Sequence, residues 1–151
     1  MDLFQDKFKA FLAEFGRGRK MVLSTAADGR VSSRMMSVVR LDDTFCFQTD
    51  IELRKYDQLM KNKNVALCID NIQIEGKCEE VGHPLKNSEF VAAFQACFKG
   101  SFDAYTSLNN ERLFVVKPTL IERWVYIDAV PFVETFEIAE QRYTCVQYAG
   151  Q

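Results

Sequence analysis

The sequence predicts a mainly β protein: six to eight strands in an antiparallel barrel, flanked by two or three helices, in one domain over residues 1–151. Three observations carry this. Short apolar runs bounded by turn residues fill most of the chain. Helical spacing of apolar residues is confined to a few segments. One helix links the third and fourth strand runs, and the other links read as short, which suits an antiparallel barrel with helical insertions. No repeats, low-complexity segments or linkers interrupt the pattern.

Phe4, Phe8, Phe11, Leu12 and Phe15 recur at spacings of three and four and predict an amphipathic first helix. Asp2 with Gln5 three residues later fits a capping box, and Gly16 is a natural stop. Lys20 to Thr25 is a short apolar strand. Asp28-Gly29 is a tight hairpin signal, and Val31 to Val39 is the returning strand. Asp42-Asp43 marks a second turn before the Phe-rich run Thr44 to Gln48. Glu52 to Lys61 reads as a helix through Leu53, Tyr56, Leu59 and Met60, ended by Asn62 and Asn64. Val65 to Ile69 and Ile72 to Val81 are strands, the second stopped at Pro84. Residues 87–99 predict a helix opened by Asn87 or Ser88, with Phe90, Val91, Phe94 and Phe98 as its apolar face. Residues 100–111 read as loop or at most a short helix. Leu113 to Val116, Leu120 to Ile127 and Phe132 to Ile138 read as three further strands, with Pro118 and Pro131 at strand starts, where proline costs no ladder bond.

The chain has 151 residues, enough to bury roughly 68–70% of its unfolded surface and form a core without staples. Its net charge of −2 argues against non-specific nucleic-acid binding, which needs clustered positive charge. No apolar run approaches the roughly 18 residues of a membrane span, and no signal-peptide pattern opens the chain, so a cytoplasmic protein is expected. Five cysteines, Cys46, Cys68, Cys78, Cys97 and Cys145, form no C-x-x-C pair; they read as small core residues of a reduced compartment, with no metal site. The thirteen phenylalanines either fill a large core or cover an apolar interface between subunits.

The stretch Gln48-Thr49-Asp50-Ile51-Glu52-Leu53-Arg54-Lys55 is the most informative. A strand ends, a polar turn follows and a helix begins with two cations in its first turn. The helix dipole is positive there, so Arg54 and Lys55 are placed against it. Either they are solvated cations, at a cost of only ~0.3–1 kcal/mol, or an anion docks where free N–H groups and both side chains face one phosphate. Arg34 lies mid-strand on the same face as Met36 and Val38. It needs a partner, which is either a bidentate phosphate or a structural ion pair with an acidic residue.

Three stretches resemble the pyridoxamine 5′-phosphate oxidase-like family of FMN-binding split barrels. Ser33-Arg34-Met35-Met36-Ser37-Val38-Val39 is similar to its Arg-Met-Val-rich flavin strand. Phe47-Gln48-Thr49-Asp50 with Arg54-Lys55 resembles its Phe-Tyr-Thr-Asn turn followed by Ser-Arg-Lys. Asn64 to Leu67, then Ile72 to Gly76, resembles its paired strands ending in Glu-Gly. The likeness is good over roughly residues 5–82 and looser beyond. It implies a split β-barrel homodimer with FMN held non-covalently at the subunit interface. By position, Arg34 and Lys55 would hold the phosphate, helped by Arg54. Met35, Met36 and Ser37 would lie along the ribityl chain and ring, and Gln48 and Thr49 near the isoalloxazine and phosphate. Asn71 stands where the family often has glutamine. Pro118 to Trp124 resembles a Pro-x-x-Ile-Glu-x-Trp strand that would bring Trp124 near the partner's flavin, unless the tryptophan is an ordinary packing residue.

The departures bear on activity. Val39 occupies the position of a substrate-contacting lysine in the true oxidases, and the C-terminal Arg-x-His-Asp-Arg pattern is replaced by Pro131-Phe132-Val133-Glu134-Thr135. Arg40 points to the opposite face from Val39, which leaves Arg112 and Arg123 as cations from which a second phosphate site could be built. Oxidation of pyridoxamine phosphate is therefore not expected. His83, the only histidine, either touches the cofactor, as in some family branches, or is an exposed turn residue. The resulting expectation is a small FMN-dependent oxidoreductase driven by NAD(P)H or a reduced partner. The alternatives are a flavin-storage or redox-sensing module without turnover, or a deazaflavin- or haem-binding relative.

Overall fold

The computed structural model describes residues 2–150. Its eight strands are β1 (Gly18–Ala27), β2 (Arg30–Leu41), β3 (Thr44–Asp50), β4 (Asn64–Ile69), β5 (Ile72–Glu80), β6 (Glu111–Ile127), β7 (Val130–Glu137) and β8 (Arg142–Gln147). Three helices of at least two turns accompany them: α1 (Leu3–Phe15), α2 (Arg54–Lys61) and α3 (Ser88–Cys97). The sheet order is β3-β2-β1-β4-β5-β6-β7-β8, all antiparallel, and β3 also pairs with β6. That extra pairing closes β1 to β6 into a six-stranded barrel, and β7 and β8 continue outward from β6. The expected split barrel is present.

The β1–β2 hairpin turns at Asp28 and Gly29, with φ of 54° and 73°. Two positive-φ residues define the turn whose twist matches flanking strands. Asp42, also at positive φ, makes the β2–β3 turn. α1 presents Phe4, Phe8, Phe11 and Phe15 to the barrel end, where Phe4, Phe8 and Phe11 meet Phe136 and Phe15 meets Phe45. Burial of each ring contributes roughly 1.5–3 kcal/mol. The capping box is only half realised. Asp2 caps the Phe4 amide, but Gln5 bonds Gln141 across the fold rather than reaching back.

Ten of the thirteen phenylalanines are buried and none is among the exposed large apolar residues, so the core, and not an interface, accounts for them. A second, smaller core lies under α3, where Phe90, Ala93 and Phe94 cover Val39, Cys46 and Leu113. Asn87 is the cap of α3, accepting the Phe90 amide at 2.9 Å. Of the cysteines, Cys46 and Cys78 are buried, whereas Cys68 is exposed on β4, against expectation for a core residue.

Three further expectations are corrected and one open alternative is decided. The runs at Leu113 and Leu120 are one 17-residue strand, β6. Pro118 is therefore mid-strand; it is tolerated because β3 pairs with β6 only to Val116 and β7 only from Leu120. Opposite it, the β5 register shifts between Glu75 and Gly76, and a Cβ on Gly76 would stand 2.6 Å from the Lys117 carbonyl. Within residues 100–111 the short-helix alternative is realised: a turn of helix at Lys99–Ser101 runs into a π-helix at Phe102–Thr106. Strand β8 was not expected at all. Lastly, α2 begins at Arg54 rather than Glu52, because Asp50 accepts both the Glu52 and Leu53 amides in a tight turn. No helix among the described residues is long and apolar enough to cross a membrane.

Candidate cofactor-binding site

The end of β3, the start of α2 and the middle of β2 converge beside a cavity of about 480 Å³. Alternation on β2 turns Arg34 inward, opposite Leu23 of β1. Its Nη1 donates to the Leu23 carbonyl at 3.2 Å and to Thr25 Oγ1 at 3.0 Å, and its Nη2 donates to Gln58 Oε1 at 2.8 Å. Gln58, buried on α2, also accepts from Thr25 and donates to Ser32. The guanidinium is thus fixed entirely by neutral acceptors, and the structural ion pair left open by the sequence does not form.

Arg54 and Lys55 occupy the first turn of α2, as expected. Leu53 precedes them and gives no side-chain cap. Arg54 donates to Ser32 at 3.1 Å. Among the described residues, no carboxylate lies within ion-pair distance of Arg34, Arg54 or Lys55. Burial and then the nearby Arg54 hold the Arg34 guanidinium below its usual value. Burial and then Arg34 push the Lys55 ammonium down, while Glu111 and Asp50 pull it back up. Three cations therefore crowd one corner with no carboxylate in direct ion-pair contact among the described residues, Glu111 and Asp50 acting on Lys55 only from a distance, beside a helix N-terminus whose positive dipole adds to the field.

Met35, Met36, Ser37, Gln48, Thr49 and Lys55 all line the cavity. Leu53, Phe94, Tyr105 and Leu108 give it apolar walls. Thr49 Oγ1 is fully buried and has no hydrogen-bond partner, and a buried hydroxyl in that state is costly unless a ligand completes it. The donors and the apolar walls fit a phosphorylated aromatic cofactor. Asn71 and Trp124 lie elsewhere, joined to one another by the Asn71 amide donating to the Trp124 carbonyl at 2.8 Å.

Sequence reasoning missed Glu111. It is buried, lines the cavity and stands directly opposite Asp50 across the β3–β6 ladder. Burial and Asp50 push its carboxyl above the usual range, with Lys55 opposing. Only the β3–β6 pairing reveals it, and no local signal marks it. His83 is structural. Its Nδ1 accepts the Leu85 amide and its Nε2 faces the Leu108 carbonyl at 2.8 Å, so it touches the cavity only through Leu108.

The cations considered for a second phosphate are engaged elsewhere. Arg123 bonds Glu134 and Glu14, Arg112 donates to the Asn109 and Glu111 carbonyls, and Arg40 donates to the Gly16 and Asp42 carbonyls. Val39 is completely buried under α3.

Fold and site together define a split barrel with a cationic corner beside a partly apolar pocket, which Lys55 lines directly, while Arg34 stands behind it and Arg54 lines a separate groove with Asp57 and Gln58. The chain belongs to the pyridoxamine 5′-phosphate oxidase family, whose model matches residues 4–125. Among solved structures, it is similar to a pyridoxamine 5′-phosphate oxidase-related, FMN-binding protein of Nostoc punctiforme, with TM-score 0.65 and 13% identity over 99% of both chains. It also resembles PhzG of Burkholderia lata 383, solved with tetrahydrophenazine-1-carboxylic acid, with TM-score 0.62 and 18% identity over 95% of this chain and 91% of that one. HutZ, the haem storage protein of Vibrio cholerae, matches with TM-score 0.60 and 18% identity over 78% and 91%. At such identities the likeness is one of fold. Among curated proteins, none matches this sequence.

Proposed function

We propose that this protein binds FMN non-covalently and acts as a small flavin-dependent oxidoreductase. The observation that carries the reading is the group of three cations without a carboxylate partner, set beside an unpartnered buried threonine hydroxyl. Arg34, Lys55 and Arg54 hold the phosphate, with Arg34 pre-oriented by Thr25 and Gln58. Met35, Met36 and Ser37 lie along the ribityl chain and ring, and Gln48 and Thr49 supply polar contacts. FMN, when bound, supplies hydride or electron transfer, and the chain supplies binding, orientation and exclusion of water. No nucleophile–base pair is needed for that first half-reaction. NAD(P)H or a reduced partner protein is the donor class.

The same reading makes the protein a homodimer with the flavin at the subunit interface. Trp124, Tyr126, Ile127, Val146 and Tyr148 leave apolar surface exposed around the outer strands, and a second copy covers it. Asn71 and Trp124, outside their own chain's cavity, then meet the flavin of the other copy. The engagement of Arg40, Arg112 and Arg123 elsewhere disfavours a substrate carrying its own phosphate, since an unpaired phosphate costs several kcal/mol to desolvate.

The test is an absorbance spectrum and sedimentation run on the purified chain mixed with FMN. Bound-flavin bands near ~370 and ~450 nm, a species of twice the 17.4 kDa chain mass, detectable NAD(P)H-driven bleaching and negligible pyridoxal phosphate formation support the reading. A Soret band, or a stable flavin-loaded monomer, overturns it.

A further inference from the structure

The segment from Lys99 to Asn110 contributes Ser101, Tyr105 and Leu108 to the cavity wall, and its π-helix ends at Thr106. A π-turn shifts register within a helix and is favoured at functional sites, where it aims one side chain. Thr106 is that side chain here. It is fully buried, and its Oγ1 donates to Gln48 Oε1 at 3.0 Å, joining residues 58 apart in sequence. Gln48 is itself nine-tenths buried and lines the cavity. With its carboxamide oxygen committed to Thr106, its Nε2 has no hydrogen bond to the described residues and is not among the fully buried unpartnered atoms, so it opens onto the cavity.

We propose that Thr106 is a positioning residue: it locks the Gln48 carboxamide so that the NH2 faces the cavity and serves a hydrogen-bond acceptor on the ligand. This rests on the flavin reading, because a flavin nucleus and its ribityl chain are rich in such acceptors. The inference goes further in assigning polarity. Beyond its phosphate, the ligand accepts at Gln48 rather than donates there. Without Thr106 the amide is free to rotate and present either its oxygen or its nitrogen, so the preference is lost.

The experiment uses the full chain as Thr106→Val, which removes the hydroxyl at nearly constant volume, and Thr106→Ser, which keeps the hydroxyl and removes the methyl. The first readout is the Gln48 side-chain NH2 pair in ¹⁵N–¹H spectra without ligand. The second is the Kd for FMN and for riboflavin. Wild type and Thr106→Ser give a Gln48 NH2 pair displaced from free-glutamine positions, and Thr106→Val gives a pair moved toward those positions. Thr106→Val raises both flavin Kd values by the same factor, about three- to ten-fold, and Thr106→Ser stays within about two-fold of wild type. Unchanged Gln48 resonances in Thr106→Val, equal losses in the Val and Ser variants, or a loss confined to FMN overturn the proposal. If the wild type binds neither flavin, the function reading fails on its own, and the Gln48 resonances still decide whether Thr106 fixes the amide.

Discussion

Arg34 and Arg123 are both strand arginines turned inward, and their surroundings are opposite. Arg123 meets Glu134 at 2.6 Å and Glu14 at 3.1 Å, lies over the Phe11 ring, and shares Glu134 with the Tyr143 hydroxyl at 2.7 Å. That network ties α1 to β6, β7 and β8. Although burial works against it, Glu134 and Glu14 hold the Arg123 guanidinium above its ordinary value. Arg34 has only neutral acceptors and cationic neighbours, and is held below its ordinary value. A chain that supplies the counter-ion uses the arginine for structure, and one that withholds it leaves the charge for a ligand. Two lines on a sequence look alike in this respect, and only the partners separate them.

Breaking the saturated network has the largest expected effect. Glu134→Ala leaves the largely buried Arg123 with only the exposed Glu14 and takes the carboxylate from the Tyr143 hydroxyl, so stability falls by about 3 kcal/mol, read from urea unfolding, while FMN affinity changes little. The cationic corner behaves in reverse. Lys55→Ala or Arg34→Ala weakens FMN about ten- to a hundred-fold, through loss of a charge-assisted contact of roughly 1.5–3 kcal/mol. Neither substitution changes riboflavin binding by more than about two-fold, in fluorescence titrations of both ligands. Lys55→Met without ligand unfolds at the same or higher urea concentration than wild type, because an unpaired, half-buried charge is removed.

The smallest effect concerns Glu111. Its carboxyl is raised in the folded state, so its contribution to stability is fully present below the ordinary value of 4.5 and is lost as pH rises through the folded value. Urea midpoints of wild type relative to Glu111→Gln therefore decline with rising pH across that window and level off above it. A midpoint difference that stays flat across the window contradicts the assignment.

The turns and α1 were legible because the chemistry is local. Asp28-Gly29 and Asp42 can adopt positive φ, and four phenylalanines at helical spacing need one apolar face. The cationic corner was legible for the same reason, since Arg54 and Lys55 violate the dipole rule within one turn. What stayed hidden is non-local. Pro118 looks like a boundary until β6 is seen changing partners around it. Strand β8 sits at the sheet edge with four of its six residues exposed, and the turn before it is made at positive φ by Gln141, a residue that gives no turn signal. Glu111 and Thr106 matter only once β3 meets β6 and the π-helix folds over Gln48, contacts that span about sixty residues. The phenylalanines, which the sequence left as either core or interface, are core, and the exposed aromatic surface is that of Trp124, Tyr126 and Tyr148.

The central claim is that Arg34, Arg54 and Lys55 await a phosphate. The most direct measurement is a pair of titrations of the wild-type chain, one with FMN and one with riboflavin, which differ only in that group. The account predicts FMN to bind at least about ten-fold more tightly, with the advantage shrinking as salt is raised. Equal affinities would contradict it.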